Sequence, residues 1–199
     1  MQRFYFATLI SILPQIQSMR KAATLFLFAF LFFTARSQEE IGFRTTDIGA
    51  EFQWYPSGSI SSLHFAFNSR MHHSILLQFG YNKANRGDDG EKDNEKGEGW
   101  GGAIGYRYYF KPFPHKFFIG AKTGIWQMKI DWAQDIRTGE TKTTTLLPVF
   151  EVGYTFVIND QAFITPSISN GVALNVKTEG EKVGQGFITL IGLSAGIRL

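Results

Sequence analysis

Apolar and polar residues alternate along most of this chain, and that period of two constrains its fold more than any other feature. Between residues 45 and 55, Ile48, Phe52 and Trp54 fall on one face, and Asp47 and Glu51 on the other. Such alternation is typical of a β-strand with one apolar face, whereas a helix repeats every 3.6 residues. The same pattern predicts further strands near 62–68, 74–82, 100–110, 117–132, 143–158, 162–176 and 187–199. We therefore predict an all-β chain with eight antiparallel strands.

The predicted connections alternate between short and long. The short ones cover 69–73, 111–116 and 159–161, and the long ones cover 84–99, 133–141 and 177–186. An up-and-down barrel in an outer membrane has tight turns on its periplasmic side and longer loops on its outer side. The connection at 55–59 is an exception, because it falls on the long-loop side but is a tight turn. The alternation of short and long connections favours a transmembrane β-barrel.

The first 37 residues have the features of a cleavable signal peptide. Met19, Arg20 and Lys21 precede an apolar run of about 12 residues, and small residues follow at Ala35 and Ser37. A run of this length is too short for a membrane-spanning helix, which needs about 20 residues. We predict a signal peptide over 1–37, starting at Met1 or at Met19, and a barrel domain over 38–199.

The charge of the chain excludes one class of partner. Four of its 20 basic residues but none of its 17 acidic residues lie within 1–37, so the remainder has 16 basic and 17 acidic residues. Nucleic-acid binding requires a basic patch on the folded domain, and we expect no such partner. The chain has no cysteine, which excludes disulfides and cysteine-based metal sites.

The apolar faces are expected to point outward, toward lipid. If they pointed inward, as in a soluble lipocalin-like lipid carrier, their rings would overfill an eight-stranded barrel, whose interior holds little more than side chains. Glycine, serine, threonine and a few charges fit that interior better. Six charged residues fall on the predicted inner face and are expected to form structural ion pairs, since an unpaired buried charge costs several kcal/mol: Asp47, Glu51, Arg107, Lys122, Glu151 and Arg198. We expect the network to link Glu51 and Glu151 with Arg107, Lys122 and Arg198.

Aromatic residues are expected at both ends of the strands, where they would form the two interfacial girdles of a membrane barrel. At the outer strand ends these are Trp54, Tyr55, Tyr81, Trp100, Trp132 and Phe187. At the inner ends they are Phe110, Phe113, Phe117, Phe156 and Phe163.

The leader, the eight amphipathic strands, the alternating connections and the C-terminal strand 187–199 together resemble the OmpA/OmpX-type eight-stranded outer-membrane barrels of Gram-negative bacteria. The resemblance implies outer-membrane localisation, contact with outer-membrane lipid and lipopolysaccharide, and insertion by periplasmic chaperones and the barrel-assembly machinery. The last residue of that family is usually aromatic, and here it is Leu199. We expect a non-enzymatic protein whose extracellular loops contact surfaces or ligands and which contributes to envelope integrity.

The sequence leaves two alternative functions, a lipid A hydrolase and a soluble lipid carrier. We expect no cofactor or metal. The segment 166–175, with Ser169 and Asn170, resembles part of the lipid A deacylase barrels, but Ser167 occupies the position of their general-base histidine and Glu181 falls in a loop. The soluble lipid carrier is the second alternative. The acidic run with Asp89, Glu91, Asp93 and Glu95 lacks the spacing of a calcium-binding loop, and we expect it to be solvated.

Overall fold

The structure, a computed structural model, describes residues 43–87, 93–134 and 137–199. The predicted signal peptide and the acidic residues Asp89 and Glu91 lie outside these residues. Within the described ranges, the structure has no helix with the length and hydrophobicity that spanning a bilayer requires. Eight strands make up the fold: β1 Phe43–Tyr55, β2 Gly58–Ser69, β3 His73–Gly87, β4 Asp93–Tyr109, β5 Lys116–Gln134, β6 Arg137–Ile158, β7 Ala162–Glu179 and β8 Gly186–Arg198.

The strands form a closed antiparallel barrel in which each pairs with its neighbours in the chain and β8 pairs back with β1. Backbone hydrogen bonds between Thr46 and Leu199, of 2.8 and 2.9 Å, extend this closing ladder to the last residue. The prediction of eight antiparallel strands is confirmed. We call the end with Leu199 the terminal end, and the end with the β1–β2, β3–β4, β5–β6 and β7–β8 connections the hairpin end.

The apolar face of the sheet points away from the barrel axis, as predicted. Leu63, Phe79 and Ile104 expose 56 to 60% of their surface, while the inward residues between them are buried. Along β4 and the residue that follows it, the outward apolar stretch runs from Trp100 to Phe110, which matches the 9–11 residues of a transmembrane strand. The barrel therefore carries an apolar outer belt about 25 Å tall, the usual height for this architecture.

The described residues of two predicted long loops, 84–99 and 133–141, are largely strands, which corrects the sequence-based boundaries, whereas residues 180–185 of the third form a connection. Glu95, expected to lie in a solvated run, is buried. β4, β5, β6 and β7 have 17, 19, 22 and 18 residues, and β5 and β6 remain paired up to Gln134 and Arg137. The strands continue because their inward residues there, including Ile130 and Thr141, are buried. Their outward residues are charged, and for that reason the segments were predicted as loops.

Three residues of the predicted aromatic girdles point into the barrel instead. Tyr55 is buried and donates a hydrogen bond of 2.7 Å to Asn82 Oδ1, and Phe163 is buried against the ring of His64. Trp132 donates its indole N–H to Thr141 Oγ1 at 3.1 Å. Each occupies an inward position in the alternation of its strand, and that alternation decides its direction.

The lumen is filled in three layers. The terminal end contains polar groups around Tyr109, whose hydroxyl lies 3.2 Å from Thr155 Oγ1. The middle contains charged residues, described below. The hairpin end contains an apolar cluster, which corrects the expectation of an interior made only of small residues and charges: Tyr55, Ile60, Ala84, Trp126, Met128, Ile130, Leu147, Val149, Ala173, Val183 and Leu190.

The closing seam between β1 and β8 depends on a pair of facing glycines. Gly49 and Gly196 are cross-strand partners on the inward face. A Cβ added to Gly196 would lie 2.1 Å from the Ile48 carbonyl oxygen, and one added to Gly49 would lie 2.1 Å from the Ala195 carbonyl oxygen. A side chain at either position therefore requires the backbone of the seam to shift.

We predict that Gly196→Val lowers the free energy of unfolding by about 1–3 kcal/mol, the usual effect of overpacking. The temperature at which the compact form converts to the unfolded form on an SDS gel measures this change. Ala195→Val, on the exposed outward face of the same strand, is the matched control and should leave that temperature nearly unchanged. Equal effects of the two substitutions would contradict the seam interpretation.

Candidate functional site

The middle layer of the lumen brings together four charged side chains from strands distant in the chain. Glu51 lies on β1, Arg107 on β4, Lys122 on β5 and Glu151 on β6, and all four occupy inward positions. Between 1 and 6% of the surface of each remains exposed. A closed sheet directs these alternating positions to one axis, so residues up to 100 positions apart become neighbours.

The four groups form a connected ion-pair network. Arg107 donates from Nε to Glu151 Oε2 at 2.9 Å and from Nη2 to Glu151 Oε1 at 3.2 Å, a bidentate pair. Lys122 Nζ donates to Glu51 Oε1 at 3.0 Å and to Glu151 Oε1 at 3.3 Å, and so joins the two carboxylates. The Arg107 guanidinium also lies 4.5 Å from the centre of the Phe118 ring. Two positive and two negative charges thus compensate one another.

Three further polar side chains complete the surroundings of Glu51, and the sequence-based site did not include them. His64 Nδ1 lies 3.1 Å from Glu51 Oε2, Gln78 Nε2 donates to the same oxygen at 2.5 Å, and Gln53 donates to Oε1. The alternation of the sequence could have identified them, because all three occupy inward positions in their strands. A carboxylate accepts several hydrogen bonds at once, so inward amides and imidazoles near an inward acid are natural partners for it.

Asp47 and Arg198 form a separate pair, which changes the predicted membership of the network. Arg198 donates from Nε and Nη2 to the two Asp47 oxygens at 2.6 and 2.7 Å, and from Nη2 to the Pro114 carbonyl at 2.9 Å. Asp47 and Arg198 are direct cross-strand partners, whereas Glu51 faces Ser194. The register of the closing ladder therefore places Arg198 at the terminal end, away from Glu51 and Glu151.

The four charges of the network are paired and buried, and their ion pairs join β1, β4, β5 and β6 across the lumen. In the described residues, no group of three or more His, Asp or Glu side chains is arranged to hold a metal ion. Breaking one partner of such a network leaves an uncompensated buried charge, which is strongly destabilising.

The position of Ser169 bears on the hydrolase alternative. Ser169 points into the lumen, is 2% exposed and pairs across the sheet with Glu151, while Asn170 points outward and accepts a hydrogen bond of 2.7 Å from Thr189. Glu181 lies in the β7–β8 connection. Acyl chains of membrane lipids contact the outer face of a barrel, so the sheet separates them from the Ser169 hydroxyl.

Comparison with known proteins identifies the fold. No protein-family model matches this chain, and no curated protein sequence matches it. Among solved structures, a major outer membrane protein from Thermus thermophilus matches with a TM-score of 0.51 and 10% identity, over 78% of this chain and 99% of that chain. The chain has the fold of the eight-stranded outer-membrane β-barrels. The N-terminal barrel domain of Pseudomonas aeruginosa OprF is also similar, with a TM-score of 0.49, 13% identity and coverage of 78% and 97%.

The outer-membrane barrel fold agrees with the direction of the side chains and disagrees with the soluble-carrier alternative. A soluble barrel hides its large apolar side chains in its interior, whereas here Trp54, Phe150 and Phe187 lie on the outside, with 53, 54 and 75% of their surface exposed. An apolar surface of this extent requires cover from lipid or another apolar partner.

We predict that Arg107→Met destabilises the barrel by about 3–5 kcal/mol, because it leaves a net negative charge buried in the lumen. The double substitution Arg107→Met with Glu151→Leu removes one charge of each sign and leaves Lys122 paired with Glu51, so most of the stability should return. Urea unfolding in detergent micelles, followed by tryptophan fluorescence, measures both effects.

The control for this experiment is an exposed ion pair of similar length. Lys129 Nζ lies 2.9 Å from Glu140 Oε2 on the outward face, with 55 and 43% of the two side chains exposed. Lys129→Met should cost less than about 1 kcal/mol, as surface pairs generally do. A loss for Arg107→Met no larger than that for Lys129→Met would contradict a stabilising role of the network.

Proposed function

We propose that this protein is a non-enzymatic outer-membrane barrel whose hairpin end faces the outside of the cell. There its strand extensions contact surface ligands and lipopolysaccharide, while its filled lumen contributes to the integrity of the envelope. Periplasmic chaperones and the barrel-assembly machinery insert the chain. The observation that carries the proposal is that the sheet continues, with a charged outer face, beyond the apolar belt at the hairpin end.

The border between belt and extension is sharp. On β3 and β4 the outward face changes from apolar to charged at Tyr81 and Trp100, whose rings meet edge to face with centroids 5.0 Å apart. The next outward residues toward the hairpin end are Lys83 and Glu98, which are cross-strand partners. Aromatic rings followed by charges are typical of the interface between hydrocarbon and headgroups. The extension therefore stands in the headgroup layer and beyond it.

Opposite charges alternate on the outward face of the extension. Lys129 pairs with Glu140 at 2.9 Å, and Lys177 pairs with Glu179 at 2.8 Å. The hydrogen bond from Lys177 holds the pKa of the Glu179 carboxyl below its usual value. A solvated face of this composition stays soluble and presents polar groups of both signs to a ligand.

Lipopolysaccharide is the proposed lipid partner because of the lysines next to the aromatic border. Lys83 lies one outward position beyond the belt on β3, and Lys142 lies two outward positions beyond Leu146 on β6, near the level of lipid headgroups. Ammonium groups attract phosphate oxygens there, and the attraction weakens as salt screens it. Lys142 faces Lys129 directly across the β5–β6 ladder, which brings two positive charges together.

The filled lumen supports a role in sealing the membrane rather than in transport. Charged residues occupy its middle, and the apolar cluster around Trp126 and Met128 occupies its hairpin end. Eight-stranded barrels have interiors just wide enough for side chains to fill. A continuous water path across such a lumen would require both layers to rearrange.

We predict that a cysteine at Thr138 is labelled by a membrane-impermeant maleimide in intact cells, because Thr138 is exposed on the extension at the hairpin end. Arg70→Cys, exposed at the terminal end, should react only after the outer membrane is opened. The chain has no native cysteine, so each label reports one position. Labelling of Arg70→Cys but not Thr138→Cys in intact cells would overturn the proposed orientation.

We also predict that the purified protein gives no large, stable conductance steps in planar lipid bilayers, because the lumen is filled by side chains. A porin inserted under the same conditions provides the reference for an open channel. Frequent, long-lived openings of porin size would contradict a sealing role.

A further inference from the structure

The hairpin end of the lumen contains a cavity of about 210 Å³. Its wall combines apolar side chains of the inward face with polar side chains that include Asn82, Thr145 and Gln185. The apolar side chains include Tyr55, Trp126, Met128, Leu147, Ala173 and Ile188. Arg86, a charged residue on the lining, is paired with Glu95 at 3.1 Å. The cavity thus offers an aromatic-lined space with polar groups on part of its wall, and the charge of Arg86 is already compensated.

A fixed roof covers this cavity. Glu95 is fully buried, and its carboxylate accepts hydrogen bonds from the backbone N–H of Gly184 at 3.1 and 3.2 Å and from Arg86 Nη1. Asn175 Nδ2 donates to the Val183 carbonyl at 3.1 Å, and the Val183 side chain is buried in the apolar cluster. The β7–β8 connection is therefore held over the lumen by specific contacts, and the space below it is preformed.

The wall beside the cavity has a notch. The ladder between β1 and β8 ends at Trp54 and Ile191, and in the described residues Gly186–Leu190 pair only with β7. β1 ends at Tyr55, so the ladder with β8 does not continue along them. A Cβ added at Gly186 would meet no atom within 4 Å, which shows open space there. The neighbouring Phe187 lies on the outer surface with 75% exposure, so the notch connects the cavity with an apolar exterior.

We propose that this cavity binds a compact, uncharged aromatic molecule of one or two rings, which reaches it through the notch. An apolar cavity of about 150 Å³ in another protein binds benzene, so about 210 Å³ suits a slightly larger ring system. The Trp126 and Tyr55 rings offer faces and edges for aromatic packing, and the Met128 sulfur makes favourable contacts with rings. The residues described in the cavity wall offer no uncompensated charge, so a charged ligand would lose its hydration without gaining a counter-ion.

The test uses the methyl groups of methionine as reporters. In the described residues, Met128 lines the cavity and Met71 lies exposed at the terminal end. The protein is labelled with 13C at the methionine methyl groups, held in detergent micelles and titrated with naphthalene. Ring currents of bound naphthalene should shift the Met128 signal to a saturating value, while the Met71 signal stays in place.

Two variants that fill the cavity from opposite walls should abolish the shift: Ala173→Phe on β7 and Ala84→Leu on β3. Phe150→Ala changes an outward side chain that is not part of the cavity wall, and it should retain the shift. Heat-modifiable migration on a gel reports folding, and if one filling variant fails to fold, the other decides.

Absence of a saturating shift in the unsubstituted protein would overturn the proposal, as would its persistence in a folded cavity-filling variant. A linear shift of both methyl signals would also overturn it, since that indicates partition of naphthalene into the micelle. The cavity and its roof are the same whichever way the hairpin end faces. A failed titration would therefore leave the cysteine-labelling result unaffected.

Discussion

Closure of the sheet is the constraint on which the rest of this structure depends. A strand edge exposed to hydrocarbon would leave backbone N–H and C=O groups without partners, at several kcal/mol each, so a sheet can span a bilayer only as a closed barrel. Here the last strand reaches the first along a ladder that ends with Thr46 and Leu199. The facing glycines Gly49 and Gly196 allow the close approach of the two strands at the seam.

Closure creates an interior that must be filled, and the chain fills its ends differently. At the terminal end and in the middle, polar and charged groups compensate one another, as in the bidentate pair of Arg107 and Glu151. At the hairpin end, apolar side chains such as Trp126 and Leu147 take over. Charges fix the register of distant strands because they tolerate few alternative partners, while apolar packing leaves a small cavity where the fit is incomplete.

The hairpin end combines three features that the sheet alone would not require. Strands continue past the apolar belt, the β7–β8 connection folds over the lumen through Glu95, and the end of β1 at Tyr55 leaves a notch beside it. The extension suits contact with polar partners outside the membrane. The notch faces an apolar surface and suits a different class of ligand, so two kinds of recognition can coexist at one end of the barrel.

The sequence by itself determined the faces of the strands. Alternation placed Glu51, Arg107, Lys122 and Glu151 on the inner side and the apolar residues on the outer side, because a strand side chain has only two directions. The same rule, applied strictly, would have placed Tyr55 inside, where the structure has it. The strand ends were less predictable. The outward residues of the extensions are charged, as loop residues often are, and the sequence does not show that the inward residues beside them are buried.

Only the tertiary structure decided which inward residues meet. The sequence grouped Arg198 with Glu151, but the register of the β1–β8 ladder pairs Arg198 with Asp47. Glu51 instead contacts His64 and Gln78. The cavity and the notch likewise follow from unequal strand lengths around the ring. Alternation fixes the direction of a side chain within its own strand, whereas its height in the lumen depends on the stagger of all eight strands, which is set only when the barrel closes.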